Sequence, residues 1–276
     1  MEDVRAEVPL RGGDAPEGGG QQWASTAQRV EELGYSTLLM PDGLQLLSPF
    51  PSLAVAACAT TTLRVGTFVL AGPLRSPRAT AWEGHTLSVL TDGRFDFGIG
   101  TGRPEAQRFA EALGRPWGSA GERLQEVAES IEQLRGLDGE RHTPVLVAAG
   151  GPKALALAGR TADIVTLAAP PLAGRDHLAG MATTLREAAG ERAGDIEIAM
   201  NLFAIGDEIP PWTQKFIGAD HATLVAHDSQ TLLRGTPAEM ADELRRRRDA
   251  YGVSYVSVNG SFVDQLAPVV ELLAGR

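Results

Sequence analysis

The run Leu90-Thr-Asp-Gly-Arg-Phe-Asp-Phe-Gly-Ile-Gly-Thr-Gly102 carries the densest chemical signal in the chain. A turn at Thr91 to Gly93 feeds a short apolar strand over 95–99, which ends in glycines at Gly98, Gly100 and Gly102, with Arg103, Pro104 and Glu105 directly behind them. Glycine at a strand's carboxyl end removes the Cβ and lets a ligand approach the backbone, although it also permits a tight bend. A second run, Gly150-Gly-Pro-Lys153, joins a strand to a helix. The free N–H groups and positive dipole end of such a helix start suit an anion, and a plain strand-to-helix turn uses the same glycines.

Other reactive residue types point nowhere. Cys58, the one cysteine, lies in the apolar run Leu53-Ala-Val-Ala-Ala-Cys-Ala59, where a buried small side chain is expected and no base stands by to activate it. His85, His142, His177, His221 and His227 share no ligand spacing with carboxylates on one helical face, so no metal site is expected.

These residues need a scaffold. The chain has 276 residues, of which 43% are hydrophobic and 22% charged, enough for one α/β barrel or two smaller domains. A net charge of −10 argues against nucleic acid or an anionic membrane as the main partner. The basic run Arg245 to Arg248 reads more simply as a solvated helix face than as a docking patch. No apolar run is long enough to span a membrane, and the start Met-Glu-Asp-Val-Arg lacks a signal core, so a cytoplasmic location is expected.

Strand and helix patterns alternate along the whole chain. Strands are expected over 4–10, 37–40, 64–70, 95–99, 144–148, 164–167, 196–205 and 255–259. Helices are expected over 22–33, 51–61, 77–90, 120–134, 152–160, 176–193, 237–251 and 263–273. Eight βα units in a chain of this length predict a single-domain (β/α)8 TIM barrel, with residues 206–234 as a lid or insertion over its mouth. A doubly wound sheet is the structural alternative, but it carries its glycine fingerprint after the first strand, where this chain has none. The Gly/Pro-rich loop over 11–20 reads as either a flexible connection or a ligand flap.

Several segments together resemble the luciferase-like monooxygenase superfamily. They are Trp23 to Asp42 with its Glu-Leu-Gly-Tyr-Ser-Thr-Leu-Leu-Met-Pro-Asp core, Ala57 to Thr67, Glu83 to Gly102, and Ala149-Gly-Gly-Pro-Lys with Leu157 to Asp163 behind it. The tail from Arg234 to Val258 is similar to the branch of F420-dependent oxidoreductases. The resemblance implies a TIM barrel that uses coenzyme F420, or alternatively FMN, for hydride transfer or for monooxygenation. It also allows a homodimer.

The resemblance assigns roles residue by residue. Gly150, Gly151, Pro152 and Lys153 would take the cofactor phosphate, with Arg103 a second phosphate or carboxylate contact beside Gly100, Thr101 and Gly102. The backbone at Thr67, Phe68 and Val69 would bulge against the ring, although Phe68 and Val69 equally fit ordinary barrel core. Asp42 would orient a ring nitrogen or relay a proton, or else cap its turn. Glu105 stands where some F420-dependent members carry a proton donor, and otherwise reads as a surface glutamate. The chain departs from the family at three places. Gly43 replaces a histidine after Asp42, Ser76 replaces the histidine of a His-Pro pair, and Arg103 stands where an aromatic is common.

Three functions follow from these readings. The first is an F420-dependent reductase delivering hydride to a C=C or C=N bond of a small organic molecule such as a biosynthetic intermediate. The second is an FMN-dependent monooxygenase, and the third a diverged homologue without redox cofactor that binds or converts a small molecule.

Overall fold

The structure, a computed structural model, describes residues 3–7 and 19–274. The barrel strands are β1 (Asp3–Glu7), β2 (Thr37–Met40), β3 (Arg64–Thr67), β4 (Phe95–Gly100), β5 (Val145–Ala149), β6 (Ile164–Leu167), β7 (Glu197–Leu202) and β8 (Val253–Asn259). All pair in parallel, β1 with β8 and so round the ring, and the pairs Val65↔Phe95 and Gly66↔Asp96 between β3 and β4 complete the circuit. The expected TIM barrel is therefore present.

Around it lie α1 (Gly19–Glu32), α2 (Pro49–Ala59), α3 (Pro77–Leu90), α4 (Ala120–Asp138), α5 (Pro152–Thr161), α6 (Arg175–Ala189), α7 (Pro237–Tyr251) and α8 (Val263–Leu273). Local chemistry sets their starts. Ser119 with Glu122 and Thr236 with Glu239 form capping boxes at α4 and α7. Ser76 accepts a hydrogen bond from the Ala79 N–H, with Pro77 opening α3, so the serine that replaces the family histidine works as an N-cap.

Strand alternation sorts the side chains into two layers. Phe95, Phe97 and Ile99 of β4 join the core under the helices, together with Val145 and Val147 of β5. The opposite parity fills the barrel, where Leu39, Leu146, Ile164, Ala199 and Tyr255 cluster beneath Phe68 and Val69. Charge is buried there too. Asp96, 2% exposed, receives Arg5 at 3.3 Å and Arg64 at 2.5 Å, and Arg5 also reaches Glu197 at 3.2 Å. The Arg5 guanidinium lies 3.4 Å above the Tyr255 ring centre, and burial pushes the Tyr255 phenol up. These groups sit near the amino ends of their strands, the barrel end associated with stability.

Some expectations need correction. Cys58 is exposed, because the phase of α2 turns Leu53, Ala56 and Ala57 inward and carries the thiol outward. Arg247 is buried rather than solvated. Its guanidinium donates to the carbonyls of Gln230 (2.7 Å) and Leu232 (3.0 Å) and pins the end of the 206–234 segment to α7. Burial lowers its pKa, partly offset by Glu243. Strand β3 stops at Thr67, and a two-residue strand, Leu70–Ala71, resumes against the end of β4. Strand β7 likewise stops at Leu202, and Ala204–Ile205 pairs instead with Leu232–Leu233. Between those two short strands stand the helices Pro211–Ile217 and His221–Ala226, within a segment where the sequence pattern showed no helix. Residues 8–18 lie outside the described residues, and with them the end of the expected first strand and most of the 11–20 loop.

Candidate active site at the barrel mouth

Three contacts tie together the carboxyl ends of β2, β3 and β4. The Asp42 carboxylate accepts the Ala71 N–H (3.1 Å) and a two-pronged contact from Arg75, at 2.7 and 3.1 Å. The Thr67 hydroxyl donates to the Gly98 carbonyl (2.7 Å) and accepts the Gly98 N–H (2.8 Å). Gly100 faces Val69 and Ala148, where an added Cβ would come within 3.1 Å of the Val69 methyl.

The strand-four glycines thus answer first to protein packing. A Cβ on Gly98 would fall onto the Thr67 carbonyl oxygen, so β3 and β4 can approach only with glycine there. Gly102 has φ +79° and lies against Trp117. The Thr101 carbonyl accepts Arg123 at 3.2 Å.

Asp42 is fully engaged, its side chain only 3% exposed. Burial would lower the Arg75 pKa, but the Asp42 carboxylate outweighs it and leaves the guanidinium above its ordinary value. Asp42 therefore fastens β2 to the chain just past Phe68–Val69 and presents no free carboxylate. Arg75 was not singled out from the sequence. It lies 33 residues from its partner, beyond any local pattern. Glu105 is exposed on the turn Pro104–Ala106.

Phe68 and Val69, half-buried and joined by a cis peptide, cap the barrel's apolar plug. That packing is the core reading of them; their half-exposed side faces the mouth-end strands. Deeper in the mouth Ser257 donates to Asn201 Oδ1 at 3.2 Å. Strand alternation would have placed Asn201 and Ser257 inside the barrel, yet neither was singled out.

After β5, α5 starts at an exposed turn. Gly151 is its N-cap, no side chain caps it, and a Cβ there would meet nothing within 4 Å. Lys153 is exposed in the first turn. Open space, uncapped N–H groups and a cation fit a phosphate. The helix Pro211–Ile217 leans over the same mouth. Its Phe216 ring packs 6.2 Å from Phe203 and 5.4 Å from the Arg103 guanidinium, and its Trp212 lies 6.3 Å from Phe262. Arg103, at the position where an aromatic was expected, thus lies over the ring of Phe216.

Residues 9–210 match the profile of the luciferase-like monooxygenases. The chain belongs to the luciferase-like monooxygenase family. It is 28% identical over 308 residues to a phthiodiolone/phenolphthiodiolone dimycocerosates ketoreductase of Mycobacterium kansasii, covering 85% of this chain and 83% of that one. It is 31% identical to an F420-dependent glucose-6-phosphate dehydrogenase of Intrasporangium calvum, over 49% of this chain and 50% of that enzyme, so it spans about half the length of that relative. An F420-dependent secondary alcohol dehydrogenase, solved with an F420–acetone adduct, superposes with a TM-score of 0.76 over 98% of both chains at 17% identity, a likeness of fold. No helix among the described residues is long and apolar enough to cross a membrane.

Proposed function

We propose that this luciferase-like chain is an F420-dependent oxidoreductase that reduces a C=C or C=N bond of a small organic molecule. The observation that carries this reading is the uncapped start of α5, where Gly151 leaves open space and Lys153 adds charge, two strands round the barrel from Phe68–Val69. The F420-dependent relatives support the choice of cofactor, and the ketoreductase extends the plausible acceptors to a carbonyl.

In this reading F420, when bound, supplies a two-electron hydride carrier. The N–H groups of Gly151 and Lys153 would hold its phosphate, with Gly150 and Pro152 shaping the turn, while Arg103 would take a further anionic group. Phe68 and Val69 back the ring, and the mouth-side backbone of Gly100, Thr101 and Gly102 forms the adjoining edge. Trp212 and Phe216, exposed at the rim against Phe262 and Phe203, would cover a bound cofactor and so limit water around a hydride donor. Asp42 acts through position, holding the ring wall by way of Ala71. The proton comes from water at the mouth or from Glu105, whose carboxyl is exposed on the rim.

Membership of the luciferase-like monooxygenase family favours FMN as the second reading, since the same α5 start would take a flavin phosphate. Titration of the pure protein with F420 and with FMN, followed by fluorescence quenching, separates the two. Micromolar binding of F420 alone supports the reductase, and FMN alone the monooxygenase. Binding of neither refutes both and leaves a homologue without redox cofactor.

A further inference from the structure

With Asp42 committed to Arg75 and Ala71, the end of β2 offers another polar group in its stead. Gly43 follows Asp42 and is buried, and a Cβ built on it would lie 2.7 Å from Gln45 Oε1 and 2.9 Å from Gln45 Nε2. The Gln45 side chain therefore folds back over residue 43 and fills a space that only glycine leaves open. This is the position where the family resemblance led us to expect a histidine. The loop makes room for the amide at the cost of its own side chain.

Gln45 is exposed, its side chain forms no hydrogen bond with the described residues, and its amide offers one acceptor and two donors. Its location is set by the contact between Asp42 and the Ala71 N–H, which brings residues 42 and 43 beside the segment that follows Phe68–Val69. A donor and an acceptor carried on one planar group match an imide edge, an N–H flanked by C=O. Deazaflavin and flavin rings share that edge.

We propose that Gln45 is a cofactor-binding residue of the site described under Proposed function, and that its amide, seated over Gly43, pairs with the imide edge of the ring. The assignment rests on that functional reading but not on the choice between F420 and FMN. It also explains the glycine at 43 as a requirement of the neighbour, because a side chain there would evict the amide.

The experiment is a set of fluorescence-quenching titrations with F420 and with FMN on the intact chain. Gln45→Leu keeps the bulk and removes both hydrogen-bonding functions. Gly43→Ala keeps Gln45 and displaces only the end of its side chain, and residue 43 has an ordinary backbone conformation, so the variant should fold and melt like the parent. Each substitution is expected to weaken binding of the cofactor by about 3- to 10-fold, as for loss of neutral hydrogen bonds. The double variant should be no weaker than either single one, since both remove the same amide. Gln45→Asn, whose amide is one methylene shorter, should bind between the parent and Gln45→Leu. Unchanged binding in Gln45→Leu, or losses that add in the double variant, overturns the proposal while the functional reading stands. Failure of the parent chain to bind either cofactor overturns both.

Discussion

Replacing Gly151 by Asp separates ligand binding from folding at one position. Gly151 has φ −102° and ψ 163°, an extended conformation any residue adopts, and its missing Cβ points into open space. It is also the N-cap of α5, where Asp is among the preferred residues, so Gly151→Asp should leave stability unchanged or raise it by a few tenths of a kcal/mol. Its effect on an anion should be the opposite. A carboxylate roughly 5 Å from one phosphate charge repels it by about 1 kcal/mol at the dielectric of water and about 3 kcal/mol at an effective value of ~20. The new side chain also competes for the first-turn N–H groups that would bind the phosphate. Together these predict a Kd for F420 roughly 5- to 150-fold weaker, with the melting temperature level or higher. Fluorescence quenching gives the Kd and thermal unfolding the control. If Gly151→Asp melts normally and binds within about twofold of the parent, the phosphate does not sit at the start of α5.

Two further perturbations test the scaffold. Asp96→Asn takes a buried carboxylate from Arg5 and Arg64, and it should cost about 3–5 kcal/mol in urea unfolding; a loss under about 1 kcal/mol would show that the network in the barrel does not hold its strands together. Glu31 clasps the turn before β3, taking the N–H groups of Thr61, Thr62 and Leu63 at 3.0, 2.7 and 2.9 Å. Burial alone would raise its pKa, but these bonds and the Thr62 hydroxyl outweigh it and hold the carboxyl at about 2. A depressed carboxyl stabilises the fold above its unfolded value of 4.5 and loses that contribution as pH falls towards 2. Glu31→Gln should therefore be less stable by ~1 kcal/mol near neutral pH, after allowance for solvent screening, and the gap should close between pH 4.5 and 2. A gap that does not change with pH would refute the clasp.

The elements were legible from the chain because their signals are local. Strands β2 and β6 and helices α3, α7 and α8 lie where apolar periodicity, Pro77, Pro237 and Gly252 place them. The alternation of strand and helix then gave the barrel, since eight parallel strands with helical crossovers have few ways to bury both faces. The uncapped Gly151 at the start of α5 was legible for the same reason, as a strand, two glycines and a proline in a row.

Use of the side chains was decided only by the closed barrel. Asp42 looked like a free acid until Arg75, 33 residues on, reached it from the loop after β3. The glycines at the end of β4 looked like room for a ligand, yet the carbonyl of Thr67, 31 residues earlier, explains Gly98. Arg5, Asp96 and Glu197 meet across separations of 91 and 192 residues, and no local pattern marks them as partners. Cys58 and Arg247 were misjudged because composition suggests burial or exposure, while the phase of a helix against its neighbours settles which side is covered. The sequence by itself determined the order of strands and helices and the helix start suited to an anion. Strand register and barrel closure decided which polar groups are spent on the protein, as Asp42 is on Arg75 and Ala71. Local propensity acts over a few residues, whereas the pairing of charges depends on where the whole chain brings them.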